Sequence, residues 1–368
     1  MKKFMLLATA VGMTLTSCVN DSETTMSSSR SVIAFDAPVM KSARANTMGE
    51  ITGVKYPTNE TFQVFCKIYE GNYAGWTTST EAKDYFKATG EEAKHESGTY
   101  WSTTTIYYWP DAGYNLAFAA YSPAVLGNAA AATQITRTDA GIQITDFVSE
   151  PNSDNQYDLM YSQTVFNRNK SNNASAAVSL KFTHALSSIV FSSQKSDTAV
   201  VYKITDLEVE GTFVTEGDFS QGIVGSTSAE NVYTETETPV WSDPKTSSVN
   251  YAPTFTKSFE VPAATPEIFT QGTSAILAIP QGVPTDAKVI VTYEKETNGT
   301  TTEHVAEIFM KDFKKAAADG ATVADSIATW ERGTRYVYRI AFGENKRIYF
   351  EPSITDWVQE PTLIYTIN

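Results

Sequence analysis

Apolar and polar residues alternate over short stretches along most of the chain, and turn-forming residues separate these stretches. Alternation with a period of two predicts strands with one buried face, and clusters of Gly, Pro, Asn and Asp predict the turns between them. The first series begins with a brief strand, Val32-Ile33-Ala34-Phe35. Further strands are predicted at 62–69, 103–109, 114–121, 142–148 and 158–161.

A polar, low-complexity stretch at 167–177 (NRNKSNNASAA) separates this series from a second one. In the second series the stretch 311–330 has helical character, and Gly320 interrupts it, which predicts one or two short helices. The predicted strands lie at 179–192, 200–209, 275–279, 288–294, 304–310, 335–342, 347–350, 354–358 and 362–367. Many short strands separated by turns predict an all-β fold with two tandem β-sandwich domains, at 31–172 and 173–368.

The start of the chain has a different pattern. Lys2 and Lys3 precede an apolar run of about a dozen residues, which is too short for the roughly 20 that a membrane-spanning helix needs. We therefore predict a cleaved export signal at 1–17 and a polar tether at 18–30. The signal ends in Leu-Thr-Ser-Cys, which resembles a bacterial lipobox and predicts a lipid anchor on Cys18. The alternative is a buried cysteine at an apolar terminus.

Net charge and cysteine content limit the possible binding partners and disulfide bonds. The formal net charge of −14 argues against nucleic acid or an anionic membrane surface as partner, because the long-range field repels both. Cysteine occurs only at Cys18 and Cys66, so a lipidated Cys18 leaves Cys66 without a disulfide partner. We predict that Cys66 is a small core residue in the strand 62–69.

Motifs for catalysis and metal binding are missing from the sequence. His95, His184 and His304 are far apart and have no metal-ligand spacing, and none of the common nucleophile, phosphate or dinucleotide motifs occurs. The oxygen-rich run 152–158 lacks the central glycine and terminal glutamate of a calcium loop, so a polar turn explains it better. We predict no catalytic residues, no cofactor and no metal.

Aromatic residues leave a second function open. Six of them lie close together in sequence and could form a platform that stacks against sugar rings, which would make the protein a glycan-binding surface lipoprotein. They are Trp101, Tyr107, Tyr108, Trp109, Tyr114 and Tyr121. Neighbours in a strand point to opposite faces, so at least one of Tyr107, Tyr108 and Trp109 is expected in a core.

Two short sequences resemble the Asp-Ser/Thr-apolar signal for O-glycosylation in Bacteroidota. They mark Thr198, in Asp-Thr-Ala at 197–199, and Ser326, in Asp-Ser-Ile at 325–327. The alternatives are an ordinary turn and the start of a helix.

Several segments in a consistent order resemble the fimbrillin family of pilins and fimbrial lipoproteins of Bacteroidota. Besides the lipobox they are IAF at 33–35 with RA at 44–45, YWP at 108–110, FAAYSP at 118–123, LKFTHALSSI at 180–189, ILAIPQ at 276–281, WERGTRYVY at 330–338 and ITDW at 354–357. The resemblance implies two transthyretin-like β-sandwich domains. It also implies a structural or accessory subunit of a cell-surface fimbria that serves adhesion.

The resemblance further implies assembly by strand exchange. A precursor is delivered to the outer membrane as a lipoprotein, and an arginine-specific protease removes its first strand. Here the removable strand would carry Val32, Ile33 and Phe35, and the cut would lie between Arg44 and Ala45. Arg30 is an alternative site, although a cut there would leave the strand in place.

The vacated groove would accept a strand from the next subunit, because an unpaired strand edge is a template for another chain. The C-terminal run 362–367 places Leu363, Tyr365 and Ile367 on one face, so it is a candidate donor. It is equally a candidate last edge strand of its own domain. The expected partners are other fimbrial subunits, the outer membrane through Cys18, and a host or bacterial surface receptor. Whether the subunit acts in the shaft, at the tip or as an anchor stays open.

Overall fold

The structure of the protein is a computed structural model. It describes residues 31–38, 56–76, 82–95, 100–125, 134–173, 177–229, 232–263, 265–315, 326–343, 358–359 and 363–367. Regular structure in these ranges is almost entirely β-strand, which confirms the predicted all-β class. The helical elements that they contain are the four-residue helix α1 (Lys170–Asn173) and single 3₁₀ turns at Ser153–Asn155, Gly272–Ser274 and Met310–Asp312.

Strands before α1 follow the predicted positions closely at β2, β6 and β8. In chain order they are β1 (Phe35–Asp36), β2 (Phe62–Glu70), β3 (Lys83–Asp84), β4 (Glu91–Lys94), β5 (Ser102–Thr103), β6 (Tyr114–Ser122), β7 (Gln134–Thr138), β8 (Gly141–Val148), β9 (Met160–Ser162) and β10 (Val165–Arg168).

Strands after α1 are longer on average. They are β11 (Val178–Ser179), β12 (Phe182–His184), β13 (Ser187–Lys195), β14 (Val201–Ser220), β15 (Ile223–Thr227), β16 (Tyr233–Glu237), β17 (Val240–Tyr251), β18 (Phe259–Glu260), β19 (Glu267–Ile268), β20 (Ile276–Ala278), β21 (Gln281–Gly282), β22 (Lys288–Thr297), β23 (Thr300–Phe309), β24 (Lys314–Lys315), β25 (Thr329–Trp330), β26 (Thr334–Phe342), β27 (Val358–Gln359) and β28 (Leu363–Ile367).

Three large sheets organise these strands. The first sheet has the order β12-β9-β6-β2-β4-β5, and β10 and β3 pair with β6 and β2. The second sheet has the order β19-β13-β26-β28-β24, with β20 on β13 and β27 on β26. The third sheet has the order β23-β22-β14-β8-β7, with β17 and β18 on β14. Three two-stranded pairs, β1–β11, β15–β16 and β21–β25, complete the pairing.

The second and third sheets pack face to face around the largest apolar core. Alternate residues of β13 and β26 on one side, and of β14 and β22 on the other, are fully buried in it. They include Phe191, Tyr338, Leu207 and Val291. This arrangement is a β-sandwich, in which the inward-facing residues of two sheets form the core.

The first sheet is buried on both faces. Phe62, Val64 and Cys66 of β2 face one core, which they share with the first strand of the chain. Phe65 and Tyr69 face a different core, to which β8, β14 and β20 contribute. Burial on both faces explains why β6 (YNLAFAAYS) is a nearly continuous apolar run instead of an alternating one.

Strand pairing crosses residue 173 in both directions. β11 and β12, which follow it, pair with β1 and β9, which precede it. β8, which precedes it, pairs with the long strand β14. The boundary between the two predicted domains stays a prediction.

Other expectations need correction. The stretch 311–330 is not helical at its described ends, which form a 3₁₀ turn, β24 and β25; residues 316–325 lie outside the described part of the chain. The strand predicted at 103–109 is reduced to β5 and an isolated bridge at Tyr108. The run 179–192 is divided into β11, β12 and β13, because its first part follows the first strand of the chain and its last part enters the second sheet.

Candidate functional site

β1 (Phe35–Asp36) lies within an extended segment at 31–38, which is called the first strand from here on, and the side chains of this segment alternate between core and solvent. Ile33, Phe35 and Ala37 are buried, and Phe35 is completely inaccessible, whereas Val32 keeps 48% of its surface exposed. The strand predicted at Val32–Phe35 is found only in part, as an isolated bridge at Val32 and β1 at Phe35–Asp36, and the buried side chains of the segment include Ile33 and Phe35. Val32, which was expected to contribute to exchange with them, lies on the outer face.

Hydrogen bonds hold this strand on one side to the segment 101–109. Phe35 donates its N–H to the Trp101 carbonyl at 2.8 Å and accepts from the Trp101 N–H at 2.9 Å. Ile33 donates to the Tyr107 carbonyl at 2.9 Å, and Trp109 donates to the Ser31 carbonyl at 3.1 Å. The pairing is antiparallel, with bridges Val32–Tyr108 and Phe35–Trp101.

On its other side the same strand is held by the segment 178–182. Val178 donates its N–H to the Ala34 carbonyl at 2.9 Å, Leu180 to Asp36 at 2.8 Å, and Phe182 to Pro38 at 3.1 Å. This pairing is parallel. The first strand thus fills a slot between two backbone walls, and its removal would leave a row of unpaired hydrogen-bonding groups on each wall.

The floor of the slot is aromatic. The Phe35 ring meets the rings of Phe62, Phe86 and Phe118 edge to face, with centroids 6.4, 6.4 and 5.6 Å away. Cys66, on the same face of β2 as Phe62, belongs to this cluster, as predicted for a small core residue. Burial raises the pKa of the Cys66 thiol well above its ordinary value, so the thiol is protonated and apolar in the folded protein.

Two tyrosines support the walls and carry no charge at neutral pH. Tyr107 donates its hydroxyl to Glu91 at 2.9 Å, and burial, followed by that hydrogen bond, raises its pKa to about 12. The buried Tyr56 hydroxyl donates to the Thr61 carbonyl at 2.9 Å and shares a 2.6 Å hydrogen bond with Ser122. Burial is also the main cause of a raised pKa for Tyr56.

The chain leaves the slot after Pro38 and is back beside the same end of it at Tyr56. Tyr56 donates its N–H to the Ala37 carbonyl at 2.8 Å, so the described residues that flank the segment 39–55 are neighbours. Arg44 and Ala45, the predicted processing site, belong to that segment and lie outside the described residues. Arg30 and Cys18 also lie outside them.

The C-terminal strand β28 is part of the second sheet. It pairs in parallel with β26, from Tyr338–Leu363 to Phe342–Ile367, and antiparallel with β24. It therefore lies between two neighbours and is not a last edge strand. Donation of Leu363, Tyr365 and Ile367 to another subunit stays a prediction.

The aromatic residues of the alternative sugar platform do not share a surface. Trp101, Trp109 and Tyr121 are buried, where Trp101 packs on Tyr56 and Tyr121 on Phe65. Tyr107 is tied to Glu91, which leaves Tyr108 and Tyr114 as the exposed members of the set. The six residues therefore do not form the single platform considered as an alternative, because alternation along the strands sends Trp101, Trp109 and Tyr121 into cores. The expectation that at least one of Tyr107, Tyr108 and Trp109 lies in a core is confirmed by Trp109.

His184 meets Asp158, the last residue of the oxygen-rich run 152–158, in the interior. His184 lies 2.9 Å from the carboxylate of Asp158, and both residues are buried. Asp154 accepts from the Thr254 hydroxyl at 3.0 Å, and Asn152 caps the turn that begins at Ser153. The side-chain oxygens of Asn152, Asp154 and Asp158 are therefore engaged by other groups of the protein. Among the described residues no group of three or more His, Cys, Asp or Glu side chains could hold a metal ion.

The two predicted glycosylation residues are accessible to different degrees. Thr198 is exposed in a turn where Ala199 donates its N–H to Asp197, which is the ordinary-turn alternative. Ser326 is partly exposed. Modification of both residues stays a prediction. No helix in the described ranges is long and apolar enough to cross a membrane.

Comparison with known proteins decides the family. The model of the family described as fimbrillin-like matches residues 58–357, which is most of the chain. The chain belongs to the fimbrillin-like family. A search of curated proteins finds no match. Membership in this family supports a fimbrial or adhesion role at the cell surface, contact with other fimbrial subunits, and the expectation that the protein is not an enzyme.

One solved structure supports the fold of this fimbrillin-like chain, and others are similar to it more weakly. A fimbrial protein from Bacteroides vulgatus is 15% identical, with 84% of this chain and 94% of that chain covered and a TM-score of 0.50. A candidate cell adhesion protein from Bacteroides uniformis is 12% identical, with 85% and 93% covered and a TM-score of 0.42. Another from Bacteroides ovatus is 13% identical, with 90% and 99% covered and a TM-score of 0.40.

Proposed function

We propose that this protein is a subunit of a cell-surface fimbria that is exported as a lipoprotein and assembles by strand exchange in the groove of its first strand. The observation that carries the proposal is the position of Ser31–Pro38, which is hydrogen-bonded on both sides and inserts Ile33 and Phe35 into an aromatic floor. A strand in such a slot can be replaced by any strand with the same spacing of apolar residues.

The free energy that holds the first strand in the slot is small enough for another strand to replace it after cleavage. Burial of Ile33 and Phe35 contributes about 1.5–3 kcal/mol each, so about 3–6 kcal/mol together, before ordering costs. Backbone hydrogen bonds add about 0.5–1.5 kcal/mol each. While the strand stays covalently attached, its effective concentration is high and a competing strand is excluded. A cut between Arg44 and Ala45 removes that advantage.

The donor in this proposal is the C-terminal segment with Leu363, Tyr365 and Ile367. It would have to leave its own neighbours β26 and β24 before it enters the groove of the next subunit. Exchange is then favourable only if the segment gains more hydrogen bonds and buried apolar surface in the new groove than it loses in the second sheet. This requirement favours assembly after processing and disfavours it in the intact precursor.

Assembly is tested by treating purified precursor with an arginine-specific protease and looking for filaments by electron microscopy. Filaments are expected from the wild type and from Arg30→Gln, and are expected to be lost in Arg44→Gln. Equal filaments from Arg44→Gln would contradict the proposed processing site. No filaments from any cleaved form would contradict assembly by exchange.

The membrane anchor is tested separately. Cys18→Ala is expected to move the protein out of the membrane fraction and to abolish labelling with a radioactive fatty acid, because a thiol is needed for the thioether to lipid. Cys66→Ser is the matched control and is expected to leave labelling unchanged, since Cys66 is buried. Label retained by Cys18→Ala would contradict a lipid anchor at this position.

A further inference from the structure

The outer strand of the third sheet, β23, presents a regular backbone edge. All ten of its residues pair with β22 without a break, from Lys288–Phe309 to Thr297–Thr300. In the described part of the chain no other strand pairs with β23, and the strand contains no proline. An edge of this kind offers a row of N–H and C=O groups to another extended segment.

The opposite side of the same sheet shows how such an edge is normally protected. β17 pairs with β14 through two register shifts, at 214–216 and 216–218. Its Asp243 has a left-handed backbone with φ of 49°, and Pro244 follows it. Bulges and proline distort an edge and remove a donor, so β17 is a poor template. β23 has neither feature.

β23 is attached to the body of the protein through its pairing with β22 and through its inner face near the C-terminal end. Ile308 is fully buried in the main core, and the His304 ring stacks on Tyr293 with centroids 5.3 Å apart. The inner face therefore fixes the strand in its register. The edge is already ordered before a segment binds, so binding does not cost conformational entropy on the β23 side.

The outer face of β23 combines acidic and apolar residues. Glu303, Val305, Glu307 and Phe309 alternate along it, and Val305 and Phe309 keep 62% and 42% of their surface exposed. The face continues over β22 to Glu208 and Glu210 of β14. Two cations lie near Glu307 and Phe309 on this face: Lys288 contacts Glu210 at 3.3 Å and Glu307 at 3.1 Å, and Lys311 lies over the Phe309 ring at 4.8 Å. Glu303, Glu307, Glu208, Glu210 and Glu294 outnumber these two cations and Lys203 of β14, which leaves the face negative.

We propose that the β23 edge is an interaction surface for an extended segment of another protein, with Lys or Arg opposite Glu303 and Glu307 and an apolar residue opposite Val305. Backbone pairing supplies affinity, and charge supplies the choice of partner. A second copy of this chain fits poorly. In symmetric antiparallel pairing centred on Val305, Glu303 of one copy would face Glu307 of the other, and each copy carries a net charge of −14.

Three fluorescent peptides test the surface against the full folded chain. The probe TKTVTKT has the predicted spacing. TETVTET reverses its charges, and TKPVPKT keeps its charges but cannot form continuous backbone pairs. Only TKTVTKT is expected to bind, and hydrogen exchange at 300–309 is expected to slow when it does. Failure of TKTVTKT to bind, or binding without slower exchange at 300–309, would overturn the proposal.

Matched variants separate edge pairing from general charge attraction. E303Q/E307Q removes two acids from the edge strand, and E208Q/E210Q removes two acids from the same face two strands away. Each pair includes one residue that contacts Lys288. The first pair is expected to weaken TKTVTKT binding at least about tenfold, and the second less than about twofold. Equal weakening by both pairs, or equal binding of TKPVPKT, would show non-specific attraction and overturn the proposal.

Discussion

The first and last strands of this chain are both short, apolar and terminal, yet they are held in different ways. Ser31–Pro38 lies in a slot between two segments, 101–109 and 178–182, and its buried side chains reach an aromatic floor. β28 lies inside a large sheet, between β26 and β24. The first strand belongs to a separate two-stranded pair, β1–β11, whereas the last strand is a member of the second sheet.

In the proposed exchange mechanism the two strands have different roles, groove filler and donor. The slot walls are anchored independently of the first strand, by Trp101, Tyr107 and Phe182 in the surrounding core. β28 is likewise held on both sides, by its pairs with β26 and β24. In the proposed mechanism the groove is defined by these side-chain contacts, whereas the identity of the donor strand has to be tested.

The largest effect is expected from Phe35→Ala. Phe35 is fully buried among three aromatic rings, so its truncation should lower the free energy of unfolding by about 3–5 kcal/mol. Val32→Ala, on the exposed face of the same strand, should change it by less than about 0.5 kcal/mol. Urea denaturation measures both. Similar small losses for the two variants would mean that the first strand is not a core element.

Deletion of residues 363–368 should have the next largest effect. The five residues of β28 form backbone pairs worth about 0.5–1 kcal/mol each, so we expect a loss of about 2.5–5 kcal/mol in stability. The shortened chain should remain folded and monomeric, and should form no filaments after cleavage. Circular dichroism and electron microscopy test this. An unfolded product would show that β28 is indispensable to its own core and would exclude it as the donor.

Gln221→Ala should destabilise the body without affecting exchange. The buried Gln221 amide accepts from the Ile142 N–H at 3.0 Å and donates to the Ser162 carbonyl at 3.1 Å, so it ties β8 to the first sheet. Leaving these groups unsatisfied costs about 1–3 kcal/mol. Filament yield from cleaved protein should not change. A loss of filaments at equal folded fraction would show that assembly depends on more than the two terminal strands.

The smallest effect is expected at Glu60, close to the point where the chain returns to the groove. Burial raises its pKa, so the folded state binds this proton more tightly than the unfolded state. Stability from this group therefore increases as pH falls through the raised pKa towards 4.5, and is lost above it. Glu60→Gln should be more stable than the wild type at pH 7, and the difference should shrink as pH falls to 4.5. A wild type that loses stability relative to Glu60→Gln on acidification would contradict this sign.

Strands with a clear apolar pattern were predictable from the sequence. β2 and β8 alternate between buried and accessible residues, and β6 is a continuous apolar run between turns. β14 was predicted only to Val209, although it continues to Ser220. Beyond that point polar residues such as Glu216 and Asp218 occupy the outer face, and two glycines dilute the alternation.

Long-range pairing was harder to predict than the strands themselves. The hairpin β15–β16 and the strand β17 were missed. Nearly all of their residues are at least partly exposed, and most of those in β16 and β17 are polar, so no apolar face marks these strands in the sequence. The slot was predicted only through a family resemblance. The parallel partner of Phe35 is Val178, more than a hundred residues away, and nothing local in either segment specifies that contact. The buried pair His184 and Asp158 was missed for the same reason.

A reversible lock on the first strand tests the central claim most directly. Val32 and Tyr108 face each other in a non-hydrogen-bonded antiparallel pair, flanked by the Ile33–Tyr107 and Trp109–Ser31 hydrogen bonds. This geometry brings Cα atoms to about 4.5 Å, within reach of a disulfide, and Val32 lies on the surface. A variant with Val32→Cys and Tyr108→Cys should form no filaments after cleavage when oxidised and should recover them on reduction. Filaments from the oxidised, locked protein would contradict strand exchange at this groove.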